Sequence, residues 1–220
     1  DIRLYYIEYF DYFMNQKNTL GLDACFMDLD DPLELFKIWM SEAEKKEIND
    51  PNALALATTS KNNEPSVRMV LLKGLSPKGF IFYTNLNSPK SKDLKNNPKA
   101  SMCFHWKSIQ RQVRISGNVS QVADQEADNY FNSRPYESRI GAWASDQSEI
   151  MKVREELLKK IDKLKNKYND PKNLPRPKYW SGWCLNPLSV EFWLGDKYRI
   201  HERLKYNKIS NKWKKEILYP

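Results

Sequence analysis

Arg134 and Ser138 stand around a predicted helix start, an arrangement typical of anion binding. Arg134 directly precedes Pro135, and proline is favoured as the first residue of a helix because its missing N–H group would be unpaired there. We therefore expect a helix to begin at Pro135, with the Ser138 hydroxyl group in its first turn. A helix N-terminus offers free N–H groups and partial positive charge, so both side chains would converge on a phosphate placed there. Taken alone, a surface ion pair is the commoner role of an arginine such as Arg134.

A second pair of cations frames an apolar strand. Arg68 and Lys73 begin and end a segment whose middle is Met69–Leu72. Because successive strand residues point to opposite faces, the two charges are expected on opposite faces and the apolar middle is expected to be buried. Solvation of both cations is an equally good explanation for an isolated strand.

Three further cationic side chains alternate near the C-terminus. If their strand is regular, Arg199, His201 and Arg203 project from one face while Glu202 points the other way. Their mutual repulsion requires an anionic ligand or paired carboxylates. Trp193, before the Gly195–Asp196 turn, would supply an aromatic wall nearby, although a core position is the commoner role of a tryptophan.

The predicted elements that position these groups are mainly strands. Asp31, Pro32 and Glu34 are an N-cap, a first-turn proline and a capping-box acid, and they predict a helix that ends near Ile48. Short connections favour an antiparallel meander, and several strands in sequence without long helices between them indicate a barrel or a closed sheet. The predicted strands are Ala53–Thr59, Val67–Lys73, Phe80–Thr84, Ala100–Trp106, Gln112–Val122, Val190–Leu194, Tyr198–Tyr206 and Trp213–Ile217, and the predicted later helices are Asp124–Ser133, Pro135–Ala144 and Met151–Tyr168.

Composition limits the class of protein. The 220 residues, 40% hydrophobic and 13% aromatic, are enough for one good core or two small ones. Three scattered cysteines form no disulfide framework and fit a reducing, cytoplasmic compartment. Two histidines are too few for a zinc site, so we assign no metal. No apolar run reaches the roughly 20 residues needed to cross a bilayer, so we expect no membrane span.

The net charge of +8 raises the alternative of nucleic-acid binding. The excess is concentrated in residues 152–178, with ten Lys or Arg against four acids, and in residues 197–220, with eight against two. Within 151–168 the apolar residues recur every three or four positions, so the lysines lie mainly on the opposite face. A solvated amphipathic helix is therefore favoured, and nucleic acid stays a minority alternative.

The order and spacing of the motifs resemble the pyridoxine (pyridoxamine) 5'-phosphate oxidase family from Asp31 to Pro220. So many motifs in one order are far more specific than any one of them. They are RMVLLK at Arg68–Lys73, FYTN at Phe82–Asn85, RQV at Arg111–Val113, YFNSRP at Tyr130–Pro135, SRIGAW at Ser138–Trp143, QS at Gln147–Ser148, EFW at Glu191–Trp193 and RIHER at Arg199–Arg203.

This resemblance implies a β-rich α+β fold, an FMN-binding split β-barrel with surrounding helices. One domain would span residues 31–220, including the C-terminal strands for dimerisation and the active site, and the role of residues 1–30 is open. The expected assembly is a homodimer with FMN at the subunit interface. The positions that match the family's FMN site are Arg68, Met69, Val70, Leu71, Leu72, Lys73, Tyr83, Thr84, Lys90, Gln112, Gln147, Ser148, Trp193 and Arg203.

The resemblance also implies a substrate site and a reaction. Lys73, Tyr130, Arg134 and Ser138 match the positions that hold the vitamin phosphate, Arg199 and His201 match residues against the pyridine ring, and Asp50 matches an active-site acid. The implied reaction oxidises pyridoxamine 5'-phosphate or pyridoxine 5'-phosphate by hydride transfer from C4' to FMN. Oxygen then reoxidises the flavin and yields hydrogen peroxide.

Two departures from the family pattern and two alternatives remain. Pro89 replaces a basic residue of the FMN phosphate site, although Ser88 and Pro89 together favour a helix start whose N–H groups would compensate. Met14–Asp23 lacks the Arg and Tyr that fold over the substrate in the family, a role left open for Tyr5, Tyr6, Tyr9 and Phe10. The alternatives are a split-barrel flavin reductase, which needs no second phosphate site, and a basic nucleic-acid-binding module.

Overall fold

The structure is a computed structural model that describes residues 19–220. Residues 1–18 lie outside the described residues, and with them most of the N-terminal segment whose role was left open. The described chain forms the α-helices α1 (Pro32–Lys46), α2 (Pro89–Asn96), α3 (Asp124–Ser133), α4 (Tyr136–Ala144) and α5 (Arg154–Lys167). Its strands are β1 (Ala53–Thr59), β2 (Pro65–Leu71), β3 (Gly74–Ser76), β4 (Gly79–Asn85), β5 (Lys99–Trp106), β6 (Arg111–Gln121), β7 (Trp180–Leu194), β8 (Glu202–Ile209) and β9 (Lys212–Leu218).

The strands form one sheet in the order β2-β1-β5-β6-β7-β4-β3, and β8 pairs with β7 and β9. The β3–β4, β4–β7, β7–β8 and β8–β9 pairs are antiparallel. Strands supply more than half of the regular structure, and the helices lie before and between them in the chain, which confirms the predicted β-rich α+β class. No helix within residues 19–220 is long and apolar enough to cross a membrane.

Helix α1 begins where its capping residues predict. The Asp31 carboxylate accepts a hydrogen bond from the Leu33 N–H group over 2.9 Å, and Pro32 is the first helical residue. The helix ends at Lys46, two residues before the predicted end. Its buried residues recur at helical spacing, so one face of the helix enters the core.

The chain divides into two compact units, which we describe separately. The first contains the described residues up to Leu54 together with Met102–Ser116 and Pro187–Pro220. Trp39 is at the centre of its core, with ring centroids 5.4 Å from Phe26 and 5.1 Å from Phe192. Phe36 packs on Phe104 at 5.1 Å. The rings meet edge-on or tilted, the geometries that aromatic pairs prefer in cores.

The second unit contains Ala55–Ser101 and Gly117–Asn186. Its core includes a cluster of Ile81, Val122, Ala127 and Cys184. Helices α2, α3, α4 and α5 belong to this unit, so it holds most of the helical residues of the described chain.

Two predictions about the C-terminal strands were wrong. Strand β7 begins at Trp180, ten residues before the predicted start at Val190. The strand predicted from Tyr198 begins only at Glu202, because Lys197–Arg199 forms a 3-10 turn in which Tyr198 and Arg199 have φ of 57° and 63°. A left-handed backbone cannot continue a strand, so Arg199, His201 and Arg203 do not alternate on one strand face.

Candidate functional site

A cavity of about 820 Å³ lies within the second unit. It is formed by strand β2, the end of β4, helix α4, the α3–α4 junction and the first residue of β7. Four of its lining residues are Lys or Arg, and none is Asp or Glu. The lining residues are Arg68, Met69, Val70, Leu71, Lys73, Tyr83, Thr84, Asn85, Lys90, Tyr130, Arg134, Pro135, Ser138, Gly141, Ala142, Ser145, Gln147 and Trp180.

Arg68 is held by hydrogen bonds to neutral groups. Its Nη1 atom donates to the Leu56 carbonyl oxygen over 3.2 Å and to the Thr58 hydroxyl oxygen over 2.6 Å. Thr58 in turn donates to the Asp93 carboxylate over 2.7 Å, so the acid acts on Arg68 through a hydroxyl group. Burial lowers the pKa of Arg68, an effect that Asp93 partly opposes. The guanidinium is therefore held in place, and no carboxylate within residues 19–220 neutralises its charge by direct contact.

Lys90 is buried among neutral oxygen atoms. Its Nζ atom donates to the hydroxyl oxygens of Thr84 and Ser88 over 3.2 and 3.3 Å, and to Gln147 Oε1 over 3.1 Å. Gln147 Oε1 also accepts from Thr84 over 3.0 Å. Burial, with a further contribution from Arg68, lowers the Lys90 pKa from 10.5 to about 8. A buried cation without a paired acid favours the binding of an anion.

Helix α4 lines the cavity with one face. Ser138, Gly141, Ala142 and Ser145 follow at intervals of three, one and three residues, the spacing of a single helical face. A Cβ atom added to Gly141 would have no other atom within 4 Å, so the small residues leave space for a ligand. The helix itself begins at Tyr136, and Pro135 is its N-cap residue. The predicted helix start is confirmed to within one residue.

An aromatic cluster forms another wall. The rings of Tyr83 and Tyr130 are stacked with centroids 3.9 Å apart, and Trp180 lies parallel to Tyr83 at 5.3 Å. The Arg134 guanidinium carbon lies 4.8 Å from the centre of the Trp180 ring. Burial raises the pKa of Tyr83 to about 12 and also raises the pKa of Tyr130, so both phenols remain protonated hydrogen-bond donors. Arg134 Nη1 is buried and has no hydrogen-bond partner within residues 19–220.

Arg68 and Lys73, the two ends of the apolar segment, both face this cavity, although they were predicted to lie on opposite faces of a strand. Strand β2 ends at Leu71, so the alternation of faces does not extend to Lys73, and both Arg68 and Lys73 line the cavity. The predicted burial of the apolar middle was wrong for Met69, which is 65% exposed, and for Leu71, which is 36% exposed, and is confirmed for Leu72, which is 8% exposed. The Met69 and Leu71 side chains belong to the wall of an open cavity instead of a packed core.

Several predicted site residues belong to the first unit. The rings of Trp193 and His201 lie 4.6 Å apart, and His201 Nδ1 accepts a hydrogen bond from the Asp196 N–H group over 3.2 Å. The neutral imidazole ring therefore carries its proton on Nε2. Arg203 donates to the buried Glu191 carboxylate through Nε at 3.0 Å and through Nη2 at 2.7 Å.

Other predicted site residues do not line the cavity. In the first unit, Arg199 is exposed in the turn before β8, Asp50 is exposed with φ of 42°, and Gln112 is half-buried on β6. In the second unit, Ser148 is exposed with φ of 70°, and Leu72 is buried outside the cavity wall.

Sequence reasoning missed six residues of the cavity wall. The helical spacing from Ser138 would have found three of them, whereas Trp180 gave no signal because its strand was not predicted. The missed residues are Asn85, Pro135, Gly141, Ala142, Ser145 and Trp180.

These features define a class of protein. The cavity combines cations anchored by neutral groups, a helix face of small residues and an arginine nitrogen without a partner, and it contains no acid. Such a donor set fits phosphorylated ligands and has room for more than one phosphate group. The chain is therefore a β-rich α+β protein with a candidate site for phosphorylated ligands, and the donors suit the phosphate of FMN.

Comparison with known proteins identifies the family. Residues 40–168 match the model described as pyridoxamine 5'-phosphate oxidase, and residues 180–220 match the pyridoxine 5'-phosphate oxidase C-terminal dimerisation region. The chain belongs to the pyridoxamine 5'-phosphate oxidase family. It is accordingly an oxidoreductase of the split-barrel fold with FMN as cofactor, and its C-terminal region supports a homodimer.

Individual relatives agree with this assignment. The chain is 61% identical over 208 residues to the pyridoxine/pyridoxamine 5'-phosphate oxidase of Pelagibacter ubique, covering 94% of this chain and 100% of that protein. It is 52% identical to the protein of the same name from Bartonella henselae, with 92% and 99% covered. Among solved structures, PhzG from Burkholderia lata, in complex with tetrahydrophenazine-1-carboxylic acid, matches with a TM-score of 0.84 and 29% identity, covering 93% of this chain and 100% of that one.

Proposed function

We propose that this protein oxidises pyridoxamine 5'-phosphate and pyridoxine 5'-phosphate to pyridoxal 5'-phosphate with FMN as cofactor. Oxygen is the final acceptor and is reduced to hydrogen peroxide. With pyridoxine 5'-phosphate the aldehyde forms directly, whereas with pyridoxamine 5'-phosphate the amine becomes an imine that water hydrolyses, which releases ammonia. The observation that carries the proposal is the cavity wall of four cations without an acid. FMN and the substrate each bring a phosphate, so the site must accommodate two dianions. The relatives named pyridoxine/pyridoxamine 5'-phosphate oxidase, which this chain matches over nearly its whole length, support the same substrates.

The FMN phosphate is assigned to Arg68 and to Lys90 with its hydrogen-bond partners Thr84 and Gln147. Arg68 is fixed by bonds to Leu56 and Thr58, and Lys90 by bonds to Thr84 and Gln147, so both charges are in place before the ligand arrives. Such preorganisation lowers the entropy cost of binding. Met69–Leu72, Lys73, Tyr83, Gln112, Ser148, Trp193 and Arg203 are proposed to complete the FMN site. We further propose that FMN binds at the interface of the homodimer.

The substrate phosphate is assigned to Lys73, Tyr130, Arg134 and Ser138. All four line the cavity, and the unpartnered Nη1 of Arg134 is suited to a phosphate oxygen. An unphosphorylated vitamin would leave the buried Arg134 Nη1 group without a partner, and an unsatisfied buried group of this kind costs about 1–3 kcal/mol. The pocket therefore selects the phosphorylated forms.

Arg199, His201 and Asp50 are proposed to act at the pyridine ring. FMN, when bound, would supply the hydride acceptor for C4' of the substrate. Arg199 orients the ring and stabilises the negative charge that develops as hydride leaves. His201 supports the same hydrogen-bond network as a donor through Nε2, because its Nδ1 accepts from the Asp196 N–H group. The proposed compartment is the cytoplasm, in keeping with three free cysteines.

The test is a half-reaction with the FMN-loaded protein. After excess FMN is removed, pyridoxine 5'-phosphate is added without oxygen and the flavin absorbance is followed. Loss of the absorbance that reverses on admitting air supports the proposal. Retained flavin that does not react would overturn the substrate assignment and favour another split-barrel activity, such as flavin reduction. Unphosphorylated pyridoxine is the matched control and should react far more slowly.

A further inference from the structure

Trp180 connects the side chains of the substrate phosphate site. It is the first residue of β7 and only 6% exposed. Its ring centroid lies 5.3 Å from Tyr83 and 6.2 Å from Tyr130, with the planes inclined by 9° and 7°. Phe131 meets it edge-on at 5.3 Å, and the Arg134 guanidinium lies over it at 4.8 Å. One side chain therefore contacts four neighbours, two of which we assign to the phosphate.

The position of Trp180 is itself fixed by hydrogen bonds. Its carbonyl oxygen accepts from Arg176 Nη1 over 2.7 Å. Arg176 also donates to the Asp124 and Asp128 carboxylates over 2.8 and 2.6 Å. Both acids belong to helix α3, which carries Tyr130 as well. Arg176 therefore connects the start of β7 to helix α3 by hydrogen bonds.

Arg134 has few other constraints on its orientation. Burial lowers its pKa, nearby Arg139 acts in the same direction and Tyr130 opposes both, with no carboxylate among these causes. Its Nη1 atom has no hydrogen-bond partner in the described chain. A guanidinium over the face of an indole ring is attracted by the ring quadrupole, most strongly when it is shielded from water. A contact of this kind restrains the guanidinium group without using its N–H donors.

We propose that Trp180 is a positioning residue that holds Arg134 in the plane in which it receives the substrate phosphate. The inference rests on the proposed function, since it concerns the same phosphate site. Trp180 acts through Arg134. Its loss should therefore weaken substrate binding and leave the chemical step and the Arg68–Lys90 phosphate site unchanged.

The first experiment compares Trp180→Phe and Trp180→Leu as FMN-loaded dimers. Trp180→Leu should raise KM for pyridoxine 5'-phosphate roughly tenfold, the effect expected from the loss of a cation–π contact that is shielded from water. Its kcat should stay within about twofold of the wild-type value. Trp180→Phe retains an aromatic face and should recover most of this loss. Inhibition by inorganic phosphate should weaken in parallel in Trp180→Leu. Equal KM values in all three proteins would overturn the inference.

A double-mutant comparison separates positioning from direct contact. If Trp180 acts through Arg134, Trp180→Leu should raise KM by less than about twofold in an Arg134→Ala background. A full tenfold rise in that background would show that Trp180 acts independently and would overturn the proposal.

A further series covers the case in which Trp180→Leu fails to fold. Site-specific replacement of Trp180 by fluorinated tryptophans weakens the ring quadrupole at almost constant shape. KM should rise with each added fluorine while FMN retention and the melting temperature stay constant, and a flat series would overturn the proposal. A wild-type protein that does not oxidise pyridoxine 5'-phosphate would instead refute the proposed function, so the two failures are distinct.

Discussion

Lys90 Nζ donates to Gln147 Oε1 over 3.1 Å, at a depth where an ammonium group normally has a carboxylate partner. The energetic cost of this arrangement appears in the Lys90 pKa, which burial lowers to about 8. A phosphate bound here would supply the missing charge. The ligand-free site therefore already favours the binding of an anion.

FMN affinity should fall as the pH rises above about 8. In the ligand-free protein Lys90 loses its proton near that value, while a phosphate monoester is already a dianion because its second pKa is about 6. Binding above pH 8 must then include the uptake of a proton by Lys90, which weakens it. The dissociation constant for FMN, measured by quenching of flavin fluorescence between pH 7 and 10, should rise with pH.

Lys90→Arg is the control for this pH dependence. An arginine stays charged throughout the range, so its FMN affinity should be nearly flat with pH. Lys90→Met should bind FMN weakly at every pH. A fall in Lys90→Arg as steep as in the wild type would assign the titration to another group.

The same shift predicts a trend in stability without ligand. The folded pKa of about 8 lies below the ordinary value of 10.5, so the unfolded chain binds more protons between these values. The contribution of Lys90 to the free energy of unfolding therefore increases from pH 8 to pH 10.5. Denaturant unfolding of wild type and Lys90→Met, compared at both ends of this range, isolates the contribution. A difference between the two proteins that does not change with pH would contradict it.

Gly182→Ala should disturb the aromatic cluster. Gly182 is opposite Tyr83 in the β4–β7 pair, and an added Cβ atom would lie 2.8 Å from the Tyr83 ring. The ring must move, and its stacking on Tyr130 is then lost. We expect a higher KM for pyridoxine 5'-phosphate and a loss of roughly 1–3 kcal/mol in the free energy of unfolding. Steady-state kinetics and denaturant unfolding provide the measurements.

Gly141→Ala is the matched control, because a Cβ atom there meets nothing within 4 Å. Replacing a helical glycine by alanine should raise the free energy of unfolding by about 0.5–1 kcal/mol. Gly141→Leu, in contrast, would extend into the cavity and should reduce ligand binding without unfolding the protein. Unchanged binding in Gly141→Leu would show that ligands do not use this part of the cavity.

The sequence predicted the elements whose signals are local. The start of α1 follows from the Asp31 cap, and α3 spans the predicted Asp124–Ser133. The first part of β7 was missed because WSGWCLNPLS lacks the alternation of a half-buried strand: most of its residues are buried on both faces. The turn at Lys197–Arg199 depends on left-handed backbone at Tyr198 and Arg199, which their residue types do not favour.

The four cationic residues of the cavity were predicted from the sequence, whereas the residue that packs against Arg134 was not. Arg68, Lys73, Lys90 and Arg134 all line the cavity, as motif order and helix-start chemistry indicated. The contact between Arg134 and Trp180 joins residues 46 positions apart through the position of β7. Such a contact follows from tertiary packing, which no local pattern encodes.

Glu191→Gln should destabilise the protein and disturb Arg203. The buried Glu191 carboxylate accepts from Arg203 over 2.7 Å and from Arg114 over 3.5 Å. The substitution retains the shape and removes the charge, leaving two neighbouring arginines without their counter-ion. We expect a loss of about 2 kcal/mol in the free energy of unfolding, as for charged hydrogen bonds. Arg114→Gln removes only the longer contact of an exposed side chain and should cost less; equal losses would contradict this account.

Arg199→Met should lower turnover severely while FMN stays bound. Arg199 is exposed in the turn before β8 with φ of 63°, so its loss removes charge at the proposed ring site without opening a core. The measurement is kcat for pyridoxine 5'-phosphate together with the FMN content of the purified protein. Lys197→Met, an exposed cation in the same turn, is the matched control and should retain activity. Because loss of charge alone would affect both variants alike, normal turnover in Arg199→Met, or an equal loss in Lys197→Met, would refute the role assigned to Arg199.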